Sequence, residues 1–342
     1  MCGIIACLKC PNIQKILLDG LKQLQNRGYD SCGISIIQNN KFHIQKYAST
    51  NEKQSLEKLE EQYNLPNSHI GIAHTRWATH GGKTDTNAHP HLDSNETVAL
   101  VHNGIITNYQ SLKNKLIEAG FTFHGETDTE VISNLISFEL QKNLSTPFQS
   151  ISNAIKKLEG SWGLVIILKD HPNSLFICKS GSPLLMGKTN EGIIVASELS
   201  AFCNRSFNII TLEDGDILEI NLENNNVSSN FETNNSLSNL FKNREKIPSN
   251  EVKIQTTPYP FSHWMIKEIM EQPMAVLRTL NYGARTLNNI KLGGLNQEEN
   301  LIKDKTELVI LGCGTSLNAG LWSSHIFKKQ RIFNSVKVID AS

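Results

Sequence analysis

No apolar stretch in this chain approaches the roughly 20 residues that a bilayer-spanning helix requires, so no segment reads as membrane-embedded. Neither sign of charge is in excess. The 33 lysines and arginines balance 33 aspartates and glutamates, which removes the basic bias expected of a chain that binds nucleic acid or an anionic membrane. A disulfide framework is missing too: seven cysteines are an odd number without regular spacing. Cys7 and Cys10 form one Cys-x-x-Cys, but no second pair completes a zinc site, so reduced thiols in a cytoplasmic protein are expected. The opening run "MCGIIACL" follows no basic segment, is too short, and lacks a small-residue cleavage site, which argues against a secretory signal.

What is present is an ordinary globular composition in 342 residues, enough for two domains. Up to about Ile220 short apolar strands ("GIIACL", "GISII", "FHIQKY", "HIGIAHT", "TVALVHNG", "GLVIIL", "SLFIC", "GIIVAS", "FNIITL", "DILEI") outnumber helices and arrive in hairpin-like runs. Helical spacing predicts a helix from Ile13 through Leu24, another over 52–63, one capped by Asn108 and closed by Gly120, and one from Asp128. The pattern predicts an α+β fold, antiparallel sheets with helices packed outside. From Asn221 to Asn250 about a third of the residues are asparagine, so 221–257 reads as a flexible linker. Over 258–342 the spacing predicts a helix ending before Pro273, a second from Met274 to Tyr282, and the start of a βαβ unit: a strand at Leu308–Leu311, a glycine turn, a helix from Leu317 to Lys329, and the strand "VKVID".

Cys2 carries the first chemical signal. A free thiol has a pKa of about 8.5 and needs a base to act as a nucleophile at neutral pH. A small second residue permits removal of Met1, and the α-amino group then exposed on Cys2, with a pKa of about 8, can accept and return the thiol proton. The alternative is that a small residue merely follows the initiator.

Four further segments bear on that choice. "NRGYDSCG" (26–33) and "GIAHTRWATHG" (71–81) include Arg76, Trp77, Thr79 and His80; "VHNGII" (101–106) holds Asn103 and Gly104; "GETDTE" (125–130) holds Asp128. Singly, each has a structural reading. Arg76 suits a surface ion pair, Trp77 a core, Asn103-Gly104 a hairpin turn, and Thr127-x-x-Glu130 a capping box that explains Asp128. His89 and His91 around Pro90 suggest a metal, but no cysteine or carboxylate stands at suitable spacing. Together with the N-terminal "CGI", over about 220 residues and in order, the segments resemble the class II glutamine amidotransferases. The resemblance implies an N-terminal-nucleophile αββα sandwich over 2–220 and no metal or organic cofactor. It also implies roles. Cys2 would attack the glutamine amide, with Asn103 and Gly104 as the oxyanion hole. Arg76 would bind the α-carboxylate and Asp128 the α-ammonium, with Trp77, Thr79 and His80 around the substrate.

"WMIKEIMEQP" (264–273) and "LGCGTSLNAG" (311–320) are similar to the linker and first phosphate loop of the isomerizing glutamine–fructose-6-phosphate aminotransferase family. The ATP loop of asparagine synthetases and the acidic loop of phosphoribosyl-pyrophosphate amidotransferases are absent. The resemblance implies that Cys313, Gly314, Thr315 and Ser316 hold a sugar phosphate at a helix N-terminus, as physics allows. It also places the remaining isomerase groups beyond Ser342, so that 258–342 begins an incomplete α/β sugar-isomerase (SIS) domain. Glutamine is then the expected substrate. Fructose 6-phosphate is converted to glucosamine 6-phosphate only if the isomerase half is supplied, and Trp77 is a candidate gate for ammonia. A homo-oligomer, a complex with a chain supplying that half, a standalone glutaminase, and a non-catalytic regulatory partner all stay open.

Overall fold

The computed structural model of the chain describes residues 2–78, 81–142, 146–206, 208–222, 226–230, 237–244, 246–247, 258–279 and 304–341. It divides into two compact units, 1–256 and 257–342.

In chain order the first unit contains β1 (Gly3–Leu8), α1 (Ile13–Gln23), β2 (Ser31–Gln38), β3 (Lys41–Ala48), α2 (Ser55–Glu61), β4 (Ile70–Arg76), β5 (His91–Leu92), β6 (Val98–Ile106), α3 (Tyr109–Glu118), α4 (Asp128–Leu140) and α5 (Pro147–Ile155). It continues with β7 (Gly160–Leu168), β8 (Ser174–Ser180), β9 (Leu185–Lys188), β10 (Ile193–Ala196), β11 (Asn208–Thr211), β12 (Ile217–Asn221), β13 (Asn226–Ser229), α6 (Leu237–Asn243) and β14 (Lys246–Ile247). One sheet has the order β14-β11-β9-β10-β1-β4-β2-β3 and the other β13-β12-β8-β7-β6-β5. Every pairing in the two sheets is antiparallel.

The alternation of side chains along each strand builds the layers. Ile4, Ala6 and Leu8 of β1 join Ala99 and Val101 of β6 and Val165 and Ile167 of β7 in the core between the sheets. The intervening Ile5 and Cys7 face the other way, against Ile13, Leu17 and Leu21 of α1. Val98 and Leu100 of β6 take Ile132 and Leu135 of α4 and Ile151 of α5 on the far side. The result is the expected helix–sheet–sheet–helix sandwich.

Two local expectations change and a third holds. The spacing left 147–155 without a helix, yet α5 forms there. Thr146 accepts the Gln149 N–H as its cap and Pro147 occupies the first turn, a start signal that the strand-rich surroundings obscured. Asn108 stands at the start of α3, but its side chain bonds the Lys157 carbonyl and the Glu159 N–H and so ties α3 to the turn before β7. Gly120 closes α3 as expected, at φ 91°, with the Phe121 N–H returning to the Leu116 carbonyl.

The stretch expected as a linker also changes. Within 221–257 the described residues supply β13 to one sheet and β14 to the other. Leu237, Leu240 and Phe241 of α6 enter the core between the sheets. Arg244 is anchored on Glu213 and Asp216. Asparagine lowers the average hydropathy of this stretch, but a few well-placed apolar residues suffice to dock it.

The second unit has α7 (Trp264–Thr279), β15 (Glu307–Gly312), α8 (Gly314–Gln330) and β16 (Ser335–Asp340). One helix runs through Pro273 where two were expected. A proline removes one helical hydrogen bond and can bend a helix without ending it. Tyr282 lies outside the described residues. The strands β15 and β16 pair in parallel through α8, the expected βαβ opening. The helix begins three residues earlier than its spacing indicated.

If α6 is part of the domain, Phe241→Ala should lower its stability by about 3 kcal/mol, as for a core Phe→Ala change. The urea midpoint reads this, and an unchanged midpoint would mean that the stretch is a passive tether.

Candidate active site

The antiparallel pairing of β1 with β4 sets Gly3 opposite Thr75, which brings Cys2 to the end of β4. There the Trp77 N–H donates to the Cys2 Sγ at 3.2 Å, and the thiol reaches the Trp77 carbonyl at 3.5 Å. The Cys2 carbonyl accepts from Arg27 Nε at 2.8 Å and from Asn103 Nδ2 at 3.1 Å. Arg27 can approach because Gly28 lies flat on the Arg76–Trp77 peptide. A Cβ on Gly28 would stand 2.6 Å from the Arg76 carbonyl carbon.

Asn103 and Gly104 come from β6 of the opposite sheet. Gly104 adopts φ 133°, and a Cβ there would meet the Ser161 carbonyl oxygen at 2.1 Å, so only glycine fits. The third wall is the N-terminus of α4. Thr127 caps it by accepting the Glu130 N–H, while the Glu130 carboxylate turns back to the N–H groups of His124 and Gly125. Asp128 is therefore both a first-turn residue and a pocket residue, its Oδ2 accepting the Ile106 N–H at 2.9 Å. Cys2, Arg76, Trp77, Gly104 and Asp128 line one small pocket together with His89, His102, Thr127 and Thr129.

Arg76 is buried, and two of its guanidinium N–H groups donate to the carbonyls of Gly81 and Gly82. Burial lowers its pKa, while the acidic neighbours Cys2, Asp30 and Asp128 favour its charge. Asp30 accepts the Ala78 N–H and pairs with Lys83, so it fixes the chain just past Trp77. Trp77 is 43% exposed, with its ring edge-on to Tyr29. Burial pushes the Cys2 thiol up from its ordinary pKa, against the pull of the Trp77 N–H and of the cationic Arg76 and Arg27. A thiol in this state needs a proton acceptor before it can attack.

Of the residues expected from sequence, Cys2, Arg76, Trp77, Asn103, Gly104 and Asp128 come together, whereas Thr79 and His80 lie outside the described residues. Cys313 stands at the N-terminus of α8, exposed, with Gly314, Thr315 and Ser316 in its first turn, in the second unit.

The residues that sequence reasoning missed are mostly buried polar ones. Arg27 holds the Cys2 carbonyl. His102 Nδ1 lies 3.1 Å from the Thr129 hydroxyl, which donates in turn to Asp128. His74 stacks on His89 at 4.1 Å, and His89 meets His91 edge-on. His74 shares the parity of Ile70 and Ile72, which face the core between the sheets, and a polar residue on that apolar face of β4 is the one signal that could have marked it. His89 and His91, considered above for a metal, are buried neighbours of the site, with the His102 N–H donating to His89 Nδ1 and Thr127 bonded to His91.

Residues 74–204 match the family model described as a glutamine amidotransferase domain. The chain is 37% identical over 330 residues to a glutamine–fructose-6-phosphate aminotransferase (isomerizing) of Buchnera aphidicola, covering 96% of this chain and 52% of the relative. The protein of the same name from Idiomarina loihiensis is 37% identical over 321 residues, 94% of this chain and 51% of the relative. The chain thus spans about half the length of the curated relatives it matches. Among solved structures, an allosteric regulatory enzyme of purine biosynthesis superposes with TM-score 0.57 at 27% identity, over 68% of this chain and 49% of that one. A glutamine phosphoribosylpyrophosphate amidotransferase from B. subtilis shares the fold, with TM-score 0.59 at 19% identity over 99% of this chain and 81% of that one.

Burial lowers the pKa of His74 to about 3 and holds His89 and His91 well below the ordinary value. Between about pH 6.5 and about pH 3 the unfolded chain therefore binds protons that the folded chain refuses, and stability falls as pH falls. The slope is about 1.4 kcal/mol per pH unit for each such histidine. We expect the urea midpoint to drop between about pH 7 and about pH 5, above most carboxylate titration, and to drop less in His89→Gln. A flat profile would contradict the neutral cluster.

Proposed function

We propose that the chain carries a glutamine amidotransferase domain of the N-terminal-nucleophile class, with Cys2 as its nucleophile and glutamine as its substrate. Removal of Met1 exposes the Cys2 α-amino group, which takes the thiol proton. The thiolate sulfur bonds to the side-chain amide carbon of glutamine. The amide oxygen gathers negative charge, and the Asn103 side-chain NH2 and the Gly104 N–H stabilise it. The α-amino group returns the proton to the leaving nitrogen, the C–N bond breaks, and ammonia departs. Water then cleaves the thioester to glutamate and restores the thiol. Arg76 pairs with the substrate α-carboxylate, where a planar guanidinium gives orientation as well as charge. Asp128 takes the α-ammonium, with Trp77 lining the same pocket.

The observation that carries this reading is the convergence on Cys2 of the end of β4, of Asn103 and Gly104 within β6 of the other sheet, and of the N-terminus of α4. We assign the ammonia to fructose 6-phosphate, for glucosamine 6-phosphate synthesis. The names of the relatives support this, as does the strand–glycine–helix turn at Cys313, Gly314, Thr315 and Ser316, whose first-turn N–H groups suit a phosphate. That second step needs isomerase groups supplied with this chain.

The test incubates purified chain, processed to expose Cys2, with glutamine, with and without fructose 6-phosphate. Glutamate release should fall by about 10³-fold or more in Cys2→Ala, and Arg76→Gln should raise KM for glutamine more than it lowers kcat. Release indifferent to Cys2→Ala would refute the nucleophile. Glucosamine 6-phosphate formed only when a chain carrying the isomerase half is added would support the assignment of the acceptor. Its absence even then would favour a standalone glutaminase, and loss of both products a regulatory partner.

A further inference from the structure

An oxyanion hole built on an asparagine has a weakness: rotation of the amide by half a turn replaces its donor by a lone pair. The structure shows what prevents this. His74 Nε2 lies 3.0 Å from the His102 backbone carbonyl oxygen and 3.0 Å from the side-chain oxygen of Asn103. A carbonyl can only accept, so Nε2 must carry the proton, whichever way the amide is drawn. A donor at Nε2 then requires oxygen on the facing side of the Asn103 amide. On the other side, the Cys2 carbonyl at 3.1 Å requires a donor, which is Nδ2. The two ends of the amide are thus fixed independently and agree.

The imidazole itself cannot turn to undo the arrangement. His74 is fully buried on β4, its ring stacked on that of His89. Its other nitrogen, Nδ1, is buried and has no hydrogen-bond partner among the described residues. A proton at Nδ1 would be an unsatisfied buried donor, and a positive ring would press on His89, so the Nε2–H neutral form is the one the site accepts. Its depressed pKa has the same origin, burial first.

We infer that His74 is a positioning residue that holds the Asn103 amide with its NH2 toward Cys2 and so keeps the oxyanion hole loaded with a donor. It touches no substrate. It acts through Asn103, and the inference rests on the proposed glutaminase reading.

The experiment is a double-mutant cycle on glutamine hydrolysis with a spectroscopic arm. Asn103→Ala should lower kcat by about 10²- to 10³-fold, as removal of one oxyanion donor does elsewhere. His74→Ala should lower kcat by a large part of that with little change in KM, and the double variant should be no slower than Asn103→Ala alone. His74→Gln, whose terminal amide can place an N–H near the Nε2 position, should recover part of the loss. Two full effects that multiply in the double variant, or a wild-type kcat in His74→Ala, would overturn the inference. In the unsubstituted chain, nitrogen NMR of labelled histidine should show His74 in the neutral Nε2–H form from about pH 8 to about pH 5. A protonated or Nδ1–H ring would overturn it without reference to activity. If the unsubstituted chain does not hydrolyse glutamine, the functional reading fails and the catalytic consequence with it, whereas the NMR arm still decides which way the amide points.

Discussion

The contact on which the site depends is the antiparallel seam between β1 and β4. It sets Cys2 beside the Arg76–Trp77 peptide and lets a backbone N–H, which has no freedom to wander, stand 3.2 Å from the sulfur. Three other features are arranged around that peptide. Gly28 presses against it, Asp30 donates its own N–H to the Arg76 carbonyl, and the Asp30 carboxylate holds the next residue, Ala78. Moving this peptide would displace the thiol, the guanidinium and the loop after Trp77 at once. Placing Cys2 at the end of a central strand, and not on a loop, gives the site its rigidity.

The second constraint is polarity inside an apolar sandwich. Between the sheets the residues are mostly Ile, Val, Leu and Ala, yet at one end β4 and β6 carry His74, Arg76, His102 and Asn103. Buried polar groups are tolerable when paired, and most of these are, through carbonyls, hydroxyls and one another. His74, His89 and His91 meet the requirement by staying neutral, and the Nδ1 of His74, without a partner among the described residues, is an exception that the neutral ring can bear. The site therefore contains several imidazoles and no evident histidine base for the thiol among the described residues.

Most of the architecture was legible from the chain. The short apolar runs in "GIIACL" and "TVALVHNG", helical spacing from Ile13, and the glycine stop at Gly120 each led to the element found. The failures differ in cause. In the asparagine-rich stretch local composition pointed one way and packing decided otherwise, whereas α5 carries a local start signal in Thr146 and Pro147, and α7 continues through Pro273 while exposed along most of its length. Leu237, Leu240 and Phe241 are unremarkable among their asparagines until a core exists for them to enter.

The residue types of the site, and their order, belong to the sequence: a thiol behind the initiator, an arginine and a tryptophan at a strand end, Asn-Gly within another strand, an aspartate opening a helix. Those could be read because each motif is short and its parts are adjacent. Which way the Asn103 amide points, which nitrogen of His74 bears a proton, and why residue 28 must be glycine could not be read. Each depends on atoms brought together from strands tens of residues apart, as Cys2 and Asn103 are, 101 positions apart in the chain. Hydrogen-bond direction is a property of such meetings, and only the folded chain contains them.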